Sequence, residues 1–223
     1  VEDKIDFINT GRPSRDAIEK LLALTTKLGE EFGANFKEES LDILHSLLFD
    51  ARRIASFKED KEYQIFPENV LRDHFFILDI RGTIQGDLKV FGEDPELYKV
   101  LEPLGEAERI YYNLRDLKDD IKVGLINISS EDCNRFGITQ EILMSGDCMG
   151  HSGIHAWLKE QARTGLELME EYRKEKKGVK LKPVTQLYLK FGFERAAKAF
   201  MEKVAKGDFS EIFKDKSKDN DTK

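Results

Sequence analysis

Asp116 and Asp120 stand four residues apart, so a helix through them sends both carboxylates from one face about one turn apart, with Asp119 beside them. Such a pair can share a hard divalent cation. Mg²⁺ favours carboxylate oxygen and is commonly held by one or two carboxylates together with waters and substrate phosphates. The ligand that accompanies it is then a phosphate or diphosphate, which Arg115, Lys118 and Lys122 are close enough in sequence to contact. The same letters also describe an ordinary solvated helix face on which Asp and Lys are interspersed. A second constellation, Cys148, His151 and His155, has the spacing of three zinc ligands but no convincing fourth nearby, and its alternative is capping and core packing by the two histidines. Phe75, Phe76, Phe91, Phe191, Phe193 and Phe200 suit either a lipid or prenyl cavity or, on helical stripes, a plain core. Lys174, Lys176, Lys177, Lys180 and Lys182 form a basic cluster that fits a solvated helix end or an acidic neighbour.

The elements that must position these residues read as helices. Apolar residues recur at spacings of three and four between Gly and Pro punctuation, and strands are expected to be scarce or absent. Ser14 can cap a first helix with Ile18, Leu21, Leu22, Leu24 and Leu28 on its buried stripe, ending near Gly29 to Gly33. A second runs from about Glu38 to Ser56. A third opens after Pro67 and continues to about Phe91, where Gly82 and Gly86 suit close approach of a neighbouring helix and, with no strand before them, form no phosphate loop. Asp94 and Pro95 mark a fourth start, and Leu97, Leu101, Leu104, Ala107, Ile110, Leu114 and Leu117 carry that helix to Gly124, with a possible kink at Pro103. An irregular stretch follows, then helices from about Gly153 to Lys176 and Pro183 to Lys206. The expected organisation is an extension over 1–13, one helical domain over 14–207 and a polar, disordered tail over 208–223, the last stretch from Lys214 lacking apolar anchors.

A chain of 223 residues can bury one substantial core, and the 35% of charged residues with only short apolar runs leaves no transmembrane segment to expect. A net charge of −7 argues against a broad nucleic-acid footprint. Two cysteines far from any CxxC spacing suit free thiols in a reducing compartment. Val1 in place of a methionine fits removal of a targeting segment, and equally a chain cut for another reason.

The run from Leu104-Gly105 through Ala107 to Arg115-Asp116 and Asp120 resembles the second aspartate-rich helix of the squalene and phytoene synthase family. Gly124, the segment Ser130-Glu131-Asp132 to Phe136-Gly137, and the later Trp157 to Arg163 extend the likeness, which covers roughly residues 37 to 205. The resemblance implies an all-α bundle of the isoprenoid synthase type, N-terminally shortened. In that fold two aspartate-rich helices face each other across a cavity and hold Mg²⁺ and prenyl diphosphates. It makes Asp116 and Asp120 the metal ligands and puts Arg115 at the diphosphate.

The sequence departs from that pattern. No first aspartate-rich motif is found: Asp16 and Glu19 read as the acidic first turn of a helix, Asp73 and Asp79 do not share a face, and Asp50 reads as an ion-pair partner of Arg52 or Arg53. Within the second motif, Tyr112 falls where the family has asparagine and Arg109 where it has glutamine. The segment from Phe49-Asp50 to Tyr63 resembles a non-catalytic mitochondrial assembly-factor branch. The expectation is therefore a pseudoenzyme without a cofactor: a structural subunit or assembly factor of a mitochondrial respiratory or ATP synthase membrane complex. Its partners would be protein subunits, with a lipid or prenyl chain in its cavity. The alternative is a Mg²⁺-dependent prenyl diphosphate transferase.

Overall fold

The computed structural model describes residues 15–214, and they form an all-α bundle. Ser14 as a cap, the 1–13 extension, the side chains of Asp16, Ile18 and Leu21, and the chain beyond Lys214 lie outside the described residues. Helix α1 spans Arg15–Phe32 and α2 Lys37–Asp60. Helix α3 covers 68–90, with a π-helical centre, Phe76–Ile84, between the α-helical stretches Glu68–Phe75 and Gln85–Val90. Helix α4, Tyr98–Val123, follows a 3-10 turn over Pro95–Leu97. Two short helices, α5 (Ser130–Phe136) and α6 (Gln140–Met144), occupy the stretch expected to be irregular. Helix α7 spans Ser152–Glu175, and α8 covers 183–205 with a π turn at Leu189–Glu194. A last turn, α9, is Ser210–Phe213.

The boundaries follow local chemistry. Asp94 accepts a hydrogen bond from the Glu96 amide at 3.0 Å with Pro95 in the first turn, so the chain is set for α4 before the helix proper begins. The helix runs through Pro103, whose missing N–H falls within the first two turns. It stops at Gly124, where φ is +92° and the Leu125 amide returns to the Asp120 carbonyl at 2.9 Å. Ser129 and Thr139 cap α5 and α6 through their hydroxyls, and Gly137 ends α5 with φ +64°.

Helix α4 is the centre of the bundle. Its buried stripe, Leu101, Leu104, Ala107, Leu114, Leu117 and Ile121, packs most extensively against α7, whose Ile154, Trp157, Leu158, Ala162 and Met169 face it. The π segment of α3 lies against α4 on one side and α2 on the other, while α8 covers α7. Close approach is built in at Gly105, where any Cβ would overlap Ile80 and Ile84, and at Gly82, where a Cβ would come within 2.6 Å of Ile43. Gly86, expected to act the same way, has only ordinary clearance from Glu39.

Two expectations about burial are corrected. Leu24 is 55% exposed and Leu28 also faces water, because among the described residues α1 packs chiefly on α2 and buries Thr25 there, which donates to Ser40 at 3.0 Å. Residues 208–214 are not the disordered tail expected there. Phe209 and Ile212 are buried, the Phe209 ring packs at a tilt on His155 with centroids 4.7 Å apart, and Lys118 donates to the Phe213 carbonyl at 3.0 Å. Two apolar residues three apart suffice to fold one more turn onto the core.

Candidate functional site

The C-terminal half of α4 is brought against α2 by an aromatic joint. The Phe57 ring sits where a Gly124 side chain would be, Tyr63 stacks on Phe57 at 4.6 Å, and the Tyr63 hydroxyl donates to the Ile121 carbonyl at 3.1 Å. This joint sets Asp50 and Arg53 of α2 beside Asp120. Arg53 is 1% exposed and held by its two terminal nitrogens: Nη1 donates to Asp50 and to Asn127 Oδ1, both at 3.0 Å, and Nη2 to the Ile126 carbonyl at 2.5 Å, while Nε is buried without a partner. The Phe49 and Phe66 rings lie 5.6 Å from its guanidinium carbon. Asn127 in turn donates to Asn113 at 3.2 Å, tying the loop after α4 back onto α4. His74 Nε2 lies 3.3 Å from Asp50 Oδ1, an ion pair when the ring is protonated.

Asp116 and Asp120 do share one face. Burial, and then the negative charges of Asp116 and Asp50, push the Asp120 carboxyl up to about 7, with Arg53 and Arg109 partly offsetting them. Asp116 is gripped by its neighbour: Arg115 Nε and Nη2 donate to its two oxygens at 3.0 and 2.5 Å, which holds the guanidinium in its charged form. Arg115 also lies over the Tyr112 and Tyr111 rings, at 4.6 and 5.3 Å. Burial disfavours the charged form of Asp50, but the hydrogen bond and charge of His74 and the Arg53 guanidinium outweigh it and hold the carboxyl below the usual aspartate value.

About two turns before Asp116, Arg109 makes a two-pronged pair with Asp79 of the α3 π segment, at 2.7 and 2.5 Å, over the face of Phe75. Lys118 and Lys122 do not turn toward the aspartates as a shared anion site. Lys118 holds the end of α9, and Lys122 pairs with Asp119 at 2.9 Å.

A cleft of about 400 Å³ opens between α3, α4, α5 and α7. Phe75, Phe76, Ile80, Ile110, Trp157 and Leu168 supply its apolar wall, and Arg72, Arg109, Asn113, Asn127, Arg135 and Gln161 its polar one. Its α5 edge is fixed by Asp132, which accepts from Trp157 Nε1 at 2.8 Å and Gln161 Nε2 at 3.3 Å. Asp116 and Asp120 are not among the lining residues, although Arg109 and Asn113 on the same helix are. Of the phenylalanines expected in a cavity or core, Phe75 and Phe76 line the cleft and Phe200 is buried, whereas Phe191 is 53% exposed.

The carboxylates at this end of α4 are largely engaged within the chain. Of the four carboxylates near the end of α4, Asp50 and Asp116 pair with guanidinium groups, Asp119 pairs with Lys122, and Asp120 holds its proton up to about neutral pH. No group of three or more His, Cys, Asp or Glu side chains among the described residues is gathered to hold a metal ion. The zinc constellation dissolves as well: His151 Nδ1 caps α7 by accepting from the Gly153 amide at 3.2 Å, His155 Nε2 bonds the Met149 carbonyl at 2.7 Å, and burial raises the Cys148 thiol.

The structure adds one cluster unforeseen from the sequence. Glu108 is buried on α4 and pushed up to about 8 by burial and the Asp79 charge, with Tyr112 donating to it at 3.2 Å. Nearby, burial raises Asp87, which accepts from the Tyr188 hydroxyl at 2.9 Å. The signal was present: Leu101, Leu104 and Glu108 keep the stripe's spacing, so the acid falls where an apolar residue belongs.

These features define an all-α bundle with an internally paired acidic helix end beside a mixed cleft. Compared with known protein families, curated proteins and solved structures, the chain matches none.

Proposed function

We propose that this chain is a non-catalytic protein of the squalene and phytoene synthase type, serving as a structural subunit or assembly factor of a mitochondrial membrane complex. One observation carries the non-catalytic half. Of the two carboxylates that the resemblance makes metal ligands, Asp116 is paired with Arg115 and Asp120 is pushed up to about 7, and the neighbouring Asp50 and Asp79 are paired with Arg53 and Arg109. A cation already resident in each pair removes the negative field that draws Mg²⁺. The isoprenoid synthase ancestry rests on the Leu104 to Asp120 and Ser130 to Gly137 segments. The mitochondrial complex rests on the likeness of Phe49 to Tyr63 to the assembly-factor branch. Among the described residues no helix is long and apolar enough to cross a membrane.

The test is twofold. Calorimetry with farnesyl diphosphate and Mg²⁺ is expected to give no metal-dependent binding, and the native protein is expected to migrate with a large membrane assembly rather than alone. A second reading, a Mg²⁺-dependent prenyl diphosphate transferase, draws support from the cleft, whose apolar wall suits a prenyl chain and whose Arg109 and Asn113 share a helix with Asp116 and Asp120. Metal-dependent binding abolished by Asp116→Ala would favour that reading and remove the first.

A further inference from the structure

The N-terminal part of α8 presents an apolar stripe that no described helix covers. Val184, Leu187 and Phe191 follow one another at helical spacing and are 54%, 60% and 53% exposed, while Thr185 and Leu189 on the opposite side are buried. Single exposed apolar residues are ordinary; three in line on one helix face are not. The stretch that contains them is strongly basic in an acidic protein. Between 174 and 191 there are six lysines and one carboxylate, Glu175, against a net charge of −7 for the whole chain.

Most of this basic charge is turned outward. Lys176 pairs with Glu194 at 3.1 Å, and Lys182 is anchored by the Phe91 and Gly92 carbonyls. Lys174, Lys177, Lys180 and Lys190 are exposed, and Lys190 leans along Phe191 with its ammonium 5.7 Å from the ring centroid. Phe91 at the end of α3 packs on Tyr188 of α8 at 4.9 Å, and Val90 before it is also exposed.

We infer that the Val184, Leu187 and Phe191 face of α8, with Lys177, Lys180 and Lys190 around it, docks on the surface of an anionic phospholipid bilayer. Aliphatic and aromatic side chains standing out from a helix that lies flat can enter the headgroup boundary. Lysines beside them keep their ammonium groups among lipid phosphates while their stems follow the apolar residues down. The charge favours a surface of opposite sign, and the uninterrupted apolar line favours one that also offers hydrocarbon. The inference is independent of whether the cleft is catalytic.

The test is co-sedimentation of the full chain with vesicles of phosphatidylcholine alone or mixed with phosphatidylglycerol. Binding is expected only to the mixed vesicles, weakening as salt is raised. Lys177→Glu and Lys180→Glu should each lower the partition constant by about fivefold or more, and Leu187→Ser with Phe191→Ser by about tenfold or more, with unchanged helical circular dichroism. Equal binding to neutral vesicles, or binding indifferent to these substitutions, would overturn the inference. Absence of vesicle binding, together with loss of a protein complex in the same variants, would replace the bilayer by an acidic protein surface.

Discussion

The acidic end of α4 and the basic face of α8 handle charge in opposite ways. Around Asp116 and Asp120 the guanidinium groups have carboxylate partners within the chain, and Arg53 also satisfies a buried amide oxygen and a backbone carbonyl. Around Val184 to Phe191 four lysines face solvent next to apolar side chains that the bundle leaves uncovered. A region whose charges are resolved internally contributes to the fold, and one whose charges are unresolved is available to a partner. The region of the aspartate pair is thus the one whose charges are met within the chain, although it carries the more conspicuous motif.

The comparison can be broken most sharply at Arg53. Arg53→Ala leaves Asp50, Asn127 and the Ile126 carbonyl without their donor in a nearly dry setting, and such a loss typically costs about 3–5 kcal/mol. Chemical denaturation should show that drop. Asp120 should also titrate higher, because Arg53 is one of the positive charges that hold it down. A loss under about 1 kcal/mol would mean that the acidic end is not internally balanced.

Gly124→Ala should come next. The residue sits at φ +92° and the Phe57 ring occupies the space of its side chain, so strain and overlap together should cost about 2–3 kcal/mol. If the joint positions Asp50 beside Asp120, this variant should also lower the Asp120 pKa toward the ordinary aspartate value, as nuclear magnetic resonance titration would record.

What the sequence made legible follows from what is local. The α4 stripe, the Asp94-Pro95 start and the Gly124 stop depend on neighbours within a turn or two, and each is where the letters put it. The Asp50 to Arg53 pair, three residues apart, was readable for the same reason. Asp79 and Arg109 are thirty residues apart, and Arg53 and Asn127 seventy-four, so no spacing announces those bonds. The misplaced stripes have a related cause. Periodicity says which face of a helix is apolar but not whether anything covers it, and Leu24, Leu28 and Phe191 lie on apolar faces without a full cover.

Acid titration offers a smaller and signed effect. Asp120 is raised from 3.8 to about 7, so between these values the folded chain keeps a proton that the unfolded chain has lost, and stability falls as pH rises through that window. Asp120→Asn removes this penalty. Allowing for partial exposure, the variant should be more stable than the parent by about 1–2 kcal/mol near pH 8, and the difference should close toward pH 4. Glu108→Gln should behave alike with its upper limit near pH 8, where the Glu108 carboxyl titrates. Asp50 has the opposite sign, since its lowered value gives stability above about pH 4 that is lost on further acidification. A parent chain whose stability rose steadily from pH 5 to pH 8 would contradict the balance described for the end of α4.

The smallest expected change sharpens the other half of the comparison. Leu187→Ser and Phe191→Ser remove apolar groups that are already more than half in water, so the folded state has little burial to lose and stability should move by no more than about 0.5 kcal/mol for each. Vesicle binding should fall in the same variants, which separates a surface kept for docking from one kept for folding. A thermal midpoint that dropped as far as in Arg53→Ala would place these side chains in the packed body. The contrast would then lie between two buried regions of opposite charge, and the lysines around α8 would have to be read as partners of the fold itself.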